Sequence, residues 1–250
     1  MVRIGIDTGG TFTDLVRLDE RGLSVHKLRS TPDDPARAIL SGLDHLAGPN
    51  SADVVVHGTT VATNAVLERK VARVAVVVTR GFRDVLAIGR QARTELYNFM
   101  IPLPRPLVEP GLTFEVAGRL DHHGAVLEPL DHAELHALPT SLRQAGAECV
   151  AVCLLHSYAN PAHEQQVARY LADAGFVVST SHSILPEYRE YERWSTTVVN
   201  AAITPLIAGY LAALEAGLQS IPLRIMQSNG GCISAAEARR AAVRTILSGP

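Results

Sequence analysis

Residues 1–14 have the sequence MVRIGIDTGGTFTD, and this stretch is the most informative part of the chain. Apolar residues alternate with others from Val2 to Ile6, as they do on a half-buried β-strand. Asp7 follows at the strand end, where a carboxylate can face a cleft. The glycines of Gly9-Gly10 accept positive φ and place no Cβ between the backbone and an approaching anion. The stretch therefore predicts a strand that ends in an anion-binding turn.

Successive N–H groups of such a turn can converge on phosphate oxygens. Thr11 and Thr13 add hydroxyl donors, whereas Asp7 repels phosphate unless a divalent cation lies between them. The turn therefore predicts a nucleotide with Mg²⁺, Asp7 as the metal ligand, and Asp7 and Thr11 as catalytic residues. The predicted nucleotide-binding residues are Asp7, Thr8, Gly9, Gly10, Thr11, Phe12 and Thr13. The motif by itself is weak, and a glycine-rich hairpin stabilised by Asx and Thr turns is the structural alternative.

Two other phosphate-binding loops are excluded by the sequence. A Walker loop needs Gly-Lys followed by Ser or Thr, but neither lysine of the chain, Lys27 or Lys70, follows a glycine. A dinucleotide fingerprint opens a helix, whereas residues 12–18 have the alternation of a second strand. Residues 23–28 suggest a third strand. The chain is thus predicted to open as a three-stranded antiparallel meander with the phosphate loop in its first hairpin.

Composition limits the class of protein. The 250 residues are 47% hydrophobic, enough for one large core or two smaller ones. A net charge of −2 and a pI near 6.5 argue against nucleic acid as a partner. No apolar run approaches the roughly 20 residues of a membrane helix, and the N-terminus lacks signal-peptide features. The prediction is a cytoplasmic protein without a nucleic-acid or membrane partner.

Cysteines and histidines give no metal or disulfide signal. Cys149, Cys153 and Cys232 are interpreted as reduced, buried thiols. The pair His122-His123 lies in a predicted turn, and the remaining candidates, His132 and His136, lie on a short polar helix. These patterns are more typical of solvated side chains than of a metal site.

Strands and helices alternate through the rest of the chain, which predicts an α/β fold with helices covering a sheet. A buried strand at residues 54–56 leads through the turn 57–60 into a helix at 61–69, a second place to hold an anion or a polar group. Four prolines between residues 98 and 110 predict an extended segment. A domain boundary is predicted near residue 183, followed by a long helix or two helices joined near Pro205.

Several stretches in order along the whole chain resemble the hydantoinase A and 5-oxoprolinase family, which includes related acetone carboxylase subunits. They are Gly5–Asp14, Ser30–Pro35, His57–Asn64, Leu67–Lys70, Arg80–Asp84, Ile88–Gln91, Pro186–Arg193, Ser195–Asn200, Met226–Gly231 and Ser248–Pro250. The resemblance implies an actin-like ATPase fold built of ribonuclease-H-like halves, with a mixed sheet flanked by helices. It implies an N-terminal hydantoinase A domain at residues 1–183 and the start of the second domain at 184–250, truncated because the second phosphate loop is expected after Pro250.

The resemblance also implies an activity. Amide resonance makes cyclic amides slow to hydrolyse, and transfer of the γ-phosphoryl group of ATP to the ring carbonyl oxygen would create an activated imidate that water can open. The implied partners are a small cyclic amide and a hydantoinase B-like subunit or fused domain, in an oligomer. The expected activity is ATP-dependent hydrolysis of cyclic amides, with this part of the enzyme inactive alone.

Substrate-binding residues are predicted at the second turn and at a charged segment. They are His57, Gly58, Thr59, Thr60, Asn64, Arg90, Glu187, Arg189, Glu192 and Arg193. Each has a structural alternative. The charged segment has the ion-pair spacing of a solvated helix start, Arg90 can pair with Asp84, and His57 can be a satisfied histidine at a strand end.

Three other functions fit the same resemblance. An actin-like small-molecule kinase would release a phosphorylated product, and it would need an acceptor-activating aspartate whose position the sequence does not indicate. A carboxylase ATP-binding subunit would act on a ketone. A non-catalytic nucleotide-binding subunit would show no ATP turnover. The sequence leaves open which substrate, hydantoin, 5-oxoproline or ketone, is used.

Overall fold

The computed structural model of the chain describes residues 1–47, 52–92, 95, 97–98, 100 and 106–248. The strands are β1 (Arg3–Thr8), β2 (Phe12–Asp19), β3 (Gly22–Arg29), β4 (Val54–Thr59), β5 (Val74–Thr79), β6 (Thr113–Val116), β7 (Arg119–Leu120), β8 (Val126–Glu128), β9 (Cys149–Cys153), β10 (Val177–Thr180), β11 (Leu223–Met226) and β12 (Cys232–Ser234). The helices are α1 (Pro35–Ala47), α2 (Val61–Leu67), α3 (Val85–Ile88), α4 (His132–Gln144), α5 (Ala162–Asp173), α6 (Ser181–Ile184), α7 (Glu190–Leu218) and α8 (Ala235–Arg240), with a 3₁₀ helix at Ala242–Thr245.

The chain divides into two compact units. Unit 1 comprises residues 1–71 and 203–250, and unit 2 comprises residues 72–202. Because unit 1 is discontinuous in sequence, these units differ from the predicted domains 1–183 and 184–250, which stay a prediction about family domains. Gly249 and Pro250 of the last family motif lie outside the described residues.

Unit 1 is built on a six-stranded mixed sheet with the strand order β12-β11-β4-β1-β2-β3. The first three strands pair antiparallel, as predicted, and β1 pairs in parallel with β4, which pairs in parallel with β11. Helix α1 covers the meander. There Gly42 lies so close to Leu15 that a Cβ would come within 2.6 Å of a leucine methyl, so only glycine fits this contact. Leu15, Ile4 and Ile6 are buried on this face of the sheet.

Unit 2 contains a four-stranded parallel sheet with the order β10-β9-β5-β6 and a two-stranded ribbon of β7 and β8. All residues of β5 and β9 are buried, as expected for central strands of a parallel sheet. Helix α4 begins at His132, because the Asp131 carboxylate accepts hydrogen bonds from the N–H groups of Ala133 and Glu134. The observed sheets flanked by helices confirm the predicted α/β class.

Helix α7 runs unbroken through Pro205, which settles the prediction of one helix or two in favour of one. By length and composition alone it is apolar enough to span a membrane, so the statement that no apolar run approaches that length was wrong. Within its most apolar stretch 61% is buried in the protein. Arg193, Thr197 and Asn200 are fully buried along it, which is typical of a core helix with polar partners.

The prediction for the cysteines was correct at two positions and wrong at the third. Cys149 and Cys153 are free and buried on β9, but Cys232 is exposed, because it lies at the start of the edge strand β12. Burial raises the pKa of the Cys149 thiol to about 12. In the described part of the chain no three histidine, cysteine or acidic side chains come together as a metal site. The predicted extended segment at residues 98–110 lies largely outside the described residues.

Candidate functional site in unit 1

The prediction of a turn at residues 57–60 was wrong for its first three residues, because His57, Gly58 and Thr59 continue β4, which pairs in parallel with β1. Their register places Asp7 opposite Gly58 and Thr8 opposite Thr59. The carboxyl ends of parallel strands meet at one edge of a sheet, so the loops that follow both strands meet there too. The Thr60 hydroxyl donates a hydrogen bond of 3.1 Å to the Thr8 carbonyl. This bond connects the start of α2 to the end of β1.

The turn between β1 and β2 is held by Ser30, which follows β3. The Ser30 hydroxyl donates to the Gly9 carbonyl at 2.8 Å, and the Ser30 N–H donates to the Thr11 carbonyl at 3.0 Å. The Gly9 N–H donates to the Phe12 carbonyl. In the described part of the chain the N–H groups of Gly10 and Thr11 donate to no acceptor. Two adjacent free donors at the apex of a fixed turn suit the oxygens of a phosphate group.

Asp7 precedes these donors in the chain, near the end of β1, and one of its carboxylate oxygens is unused. Its Oδ1 is buried and has no hydrogen-bond partner within the described residues. A Cβ on Gly58 would lie 3.7 Å from that oxygen, so the missing side chain leaves the space around it open. Burial raises the pKa of Asp7, the neighbouring Asp14 carboxylate raises it further, and Lys27 partly offsets both effects. A bound cation would satisfy this oxygen and favour the ionised carboxylate, so the residues present fit a divalent metal ion with a nucleotide phosphate.

A cavity of about 380 Å³ opens next to the turn, within the usual size range of small-molecule sites. Its lining combines hydroxyl, amide and charged groups with short apolar side chains. The lining residues are Thr8, Gly9, Gly10, Ser30, Thr31, Pro32, Asp33, Pro35, Thr60, Val61, Asn64, Ala65, Glu68, Lys70, Leu206 and Tyr210. Thr60 and Asn64, predicted for the substrate, thus line the same cavity as Thr8, Gly9 and Gly10, predicted for the nucleotide.

Other residues of the predicted phosphate loop are placed differently. Thr13 is fully buried, and its hydroxyl forms a hydrogen bond of 3.0 Å with the Ser30 hydroxyl. That hydroxyl therefore supports the turn rather than facing an anion. Thr11 is exposed at the apex, and the Phe12 ring lies under the Lys27 ammonium at 5.0 Å.

His57 is completely buried and does not line the cavity. Its Nε2 lies 2.5 Å from the Tyr210 hydroxyl, and its Nδ1 lies 3.4 Å from the Ile6 carbonyl oxygen. Because a carbonyl only accepts, the proton belongs on Nδ1, and Nε2 then accepts from Tyr210. This is the arrangement of the structural alternative, a satisfied histidine at a strand end. Thr59 is also buried, and its hydroxyl accepts from the Val61 N–H at the start of α2.

The buried histidine makes the stability of unit 1 depend on pH. Burial lowers the pKa of His57 from 6.5 to about 4, so the unfolded chain binds a proton more readily than the folded one. This contribution is fully present above pH 6.5 and is lost as the pH falls toward 4. We expect the free energy of unfolding to fall by up to about 3 kcal/mol more in the native protein than in His57→Gln over that range. Urea titrations at several pH values measure the free energy of unfolding of both proteins. The same dependence of this free energy on pH in the native protein and in His57→Gln would contradict the prediction.

The predicted charged residues belong to unit 2. Arg90 pairs with Glu192 at 2.5 Å rather than with Asp84. Arg193 is fully buried, and its guanidinium donates to the Glu187 carbonyl at 2.7 Å, the Ser181 hydroxyl at 3.0 Å and the Leu154 carbonyl at 3.2 Å. Glu187 and Arg189 are exposed. Arg193 therefore fits a structural role, whereas substrate roles for the others stay predictions.

Most residues that line the cavity were not predicted as site residues, and Ser30 and Tyr210 are the two that hold its polar groups in place. Ser30 belongs to one of the quoted motifs, and a hydroxyl directly after the third strand of a meander was a usable signal. Tyr210 lies in the middle of an apolar helix, 153 positions from His57, and the sequence carries no signal for that contact.

Fold and site together define a protein with a mixed α/β unit whose glycine-rich hairpin presents two free N–H groups at its apex. The family model for the hydantoinase/oxoprolinase N-terminal region matches residues 3–175, and the model for hydantoinase/oxoprolinase matches residues 193–250. The chain belongs to the hydantoinase/oxoprolinase family, which confirms the resemblance found in the sequence.

Individual relatives and solved structures support this family membership. The chain is 35% identical to caprolactamase subunit alpha of Pseudomonas jessenii over 99% of its length. It superposes on the crystal structure of ATP-dependent caprolactamase from that organism with a TM-score of 0.86, at 34% identity over 99% of this chain and 38% of the other. It is 34% identical to 5-oxoprolinase 1 of Arabidopsis thaliana over its whole length and 23% of the relative. A nucleotide-free structure of acetone carboxylase, from work on ATP-dependent acetone carboxylation, matches with a TM-score of 0.86 and 27% identity over 98% of this chain and 38% of the other.

These matches confirm the predicted fold, since the superposed structures have the same mixed α/β organisation, consistent with an actin-like ATPase. The chain spans 38% of the length of caprolactamase subunit alpha and 23% of that of 5-oxoprolinase 1.

Proposed function

We propose that the chain is the ATP-binding part of an enzyme that phosphorylates the ring carbonyl of a cyclic amide and so drives its hydrolysis. The observation that carries this proposal is the set of unused polar groups in the β1–β2 hairpin, namely the buried Oδ1 of Asp7 and the N–H groups of Gly10 and Thr11. A carboxylate oxygen left without a donor is costly unless another group, such as a metal ion, completes it. Family membership and the caprolactamase and 5-oxoprolinase relatives support the choice of reaction.

Each residue of the turn has a distinct part in this proposal. The N–H groups of Gly10 and Thr11 bind the terminal phosphates. Ser30 fixes the turn around them by donating to the carbonyls of Gly9 and Thr11. Asp7 holds Mg²⁺ directly or through water. ATP supplies the phosphoryl group that activates the amide. Phosphoryl transfer depends mainly on positioning and charge neutralisation, which a fixed turn beside a carboxylate can provide.

The cavity beside the turn is the proposed place for the substrate. It is adjacent to the phosphate-binding turn and contains both donors and acceptors for a small polar ring. We further propose a second, hydantoinase B-like subunit or fused domain, because relatives carry the names caprolactamase subunit alpha and acetophenone carboxylase gamma subunit. An oligomer and a cytoplasmic location stay predictions.

Release of ADP in response to a cyclic amide tests the function. The full-length protein with its partner subunit is incubated with ATP and Mg²⁺ and with 5-oxoproline, a hydantoin or a lactam, and ADP and ring-opened product are quantified together. We expect equimolar ADP and ring-opened product with at least one of these compounds. ADP with an intact phosphorylated product would instead indicate a kinase, and no ATP turnover at all would indicate a nucleotide-binding subunit.

Carboxylation of a ketone is a second candidate, favoured by the TM-score of 0.86 to acetone carboxylase. A ketone carbonyl oxygen can accept a phosphoryl group at the same position as an amide carbonyl oxygen. The same assay with a ketone and bicarbonate in place of the cyclic amide separates the two candidates. ADP release only with the ketone would replace amide hydrolysis by carboxylation.

A further inference from the structure

Asn64 provides the single side-chain amide among the described residues that line the cavity. It lies on α2 four positions after Thr60, so the two side chains share one face of the helix. The Asn64 Nδ2 lies 3.6 Å from the position that a Cβ on Gly10 would occupy. The amide group thus lies next to the backbone of the turn between β1 and β2, at a distance where a Cβ on Gly10 would make an ordinary van der Waals contact with it.

Part of the Asn64 amide is available to a ligand. A side-chain amide has two N–H donors and two acceptor sites on its oxygen. One N–H donates to the Thr60 hydroxyl at 3.3 Å. Within the described residues the other N–H and Oδ1 have no partner. Asn64 therefore offers one donor and one acceptor, side by side and in one plane, to whatever occupies the cavity.

That pair of groups matches the edge of a cis amide. In a small ring the amide is held cis, so its C=O and N–H point to the same side, whereas a linear amide is almost always trans and points them to opposite sides. We propose that Asn64 selects cyclic amides by donating to the ring carbonyl and accepting from the ring N–H. This inference rests on the proposed function and adds the residue that sets the substrate class.

The same geometry places the reacting oxygen. A carbonyl oxygen that accepts from Asn64 Nδ2 lies beside Gly10, whose free N–H faces the terminal phosphate in the proposed function. Asn64 then acts as an orienting residue for the phosphoryl acceptor. A ketone carbonyl uses only the donor and leaves Oδ1 unpaired, so Asn64 favours a ring N–H over a ketone.

A lactam and its N-methyl derivative test this role, because methylation removes the N–H and keeps the carbonyl. In the full-length, assembled enzyme we expect kcat/KM for the lactam to exceed that for the N-methyl lactam by at least about a hundredfold, as sites built around a substrate N–H do. Asn64→Leu should reduce that ratio to within about threefold, because the acceptor is gone. Asn64→Asp, which is isosteric and keeps the acceptor, should lower activity on the lactam and retain the preference.

The control is Asn98→Leu, the same chemical change at an exposed asparagine of unit 2 that does not line the cavity. It should leave the ratio unchanged. A ratio in Asn64→Leu equal to that of the native enzyme overturns the role of Asn64 while leaving the proposed function intact. If Asn64→Leu does not fold, loss of the preference in Asn64→Asp overturns it instead. No ADP release by the native enzyme with a lactam, 5-oxoproline or a hydantoin overturns the proposed function and this inference with it. If only 5-oxoproline or a hydantoin gives ADP release, the proposed function stands and the comparison uses that compound and its N-methyl derivative.

Discussion

Replacing Asp7 by Asn should lower ATP turnover of the full-length protein by about a thousandfold or more, because the charge that holds Mg²⁺ is removed from the site of phosphoryl transfer. Stability should not fall. Burial raises the pKa of Asp7, so ionised Asp7 is unfavourable in the folded chain, and a neutral side chain of the same shape removes that cost. Steady-state ATP turnover and thermal unfolding measure the two effects on the same preparation.

Asp14→Asn is the matched control for this experiment. Asp14 lies opposite Asp7 on β2 and pairs with Lys27 at 2.8 Å near the surface. Losing a partly exposed ion pair changes the free energy of unfolding by less than about 1 kcal/mol. Asp14→Asn should therefore keep ATP turnover within a few-fold of the native value. If Asp7→Asn keeps near-native turnover, Asp7 is a turn-forming residue and the metal assignment fails.

Replacing Arg193 by Met should destabilise unit 2 by about 3 kcal/mol or more, since the change removes a buried charge that satisfies several buried acceptors. The guanidinium donates to two backbone carbonyls and to the Ser181 hydroxyl. Ser181 in turn donates to the Glu164 carboxylate, which is fully buried. Removing the guanidinium would therefore also disturb the hydrogen bonds of a second buried charge, the Glu164 carboxylate.

Arg189→Met provides the comparison for Arg193. Arg189 is exposed, and its guanidinium lies over the Tyr188 ring at 5.6 Å. Substitution there should shift the unfolding temperature by no more than a degree or two, as most exposed substitutions do. An Arg193→Met protein that unfolds at the native temperature but loses activity would restore the original prediction that Arg193 binds substrate.

Local pattern predicted much of the fold because the relevant signals lie within a few residues of one another. Alternating apolar residues and a glycine turn indicated the β1–β2–β3 meander, and the structure confirms it. The helix after residue 60 was likewise predictable. The membrane-length estimate for α7 failed because its buried polar residues interrupt the apolar run in the sequence without interrupting the helix.

The sequence by itself determined the glycine-rich hairpin, the α/β class and the family, since each depends on residue types at short spacing. Tertiary structure decided which of the candidate residues share a site. Parallel pairing of β1 with β4 brought Thr60 and Asn64 to the cavity beside Gly10, and packing within each unit buried His57 against Tyr210 in unit 1 and Arg193 in unit 2. These outcomes depend on contacts between residues far apart in the chain, and no local pattern encodes which side chain of a polar cluster turns toward a cavity and which toward the core.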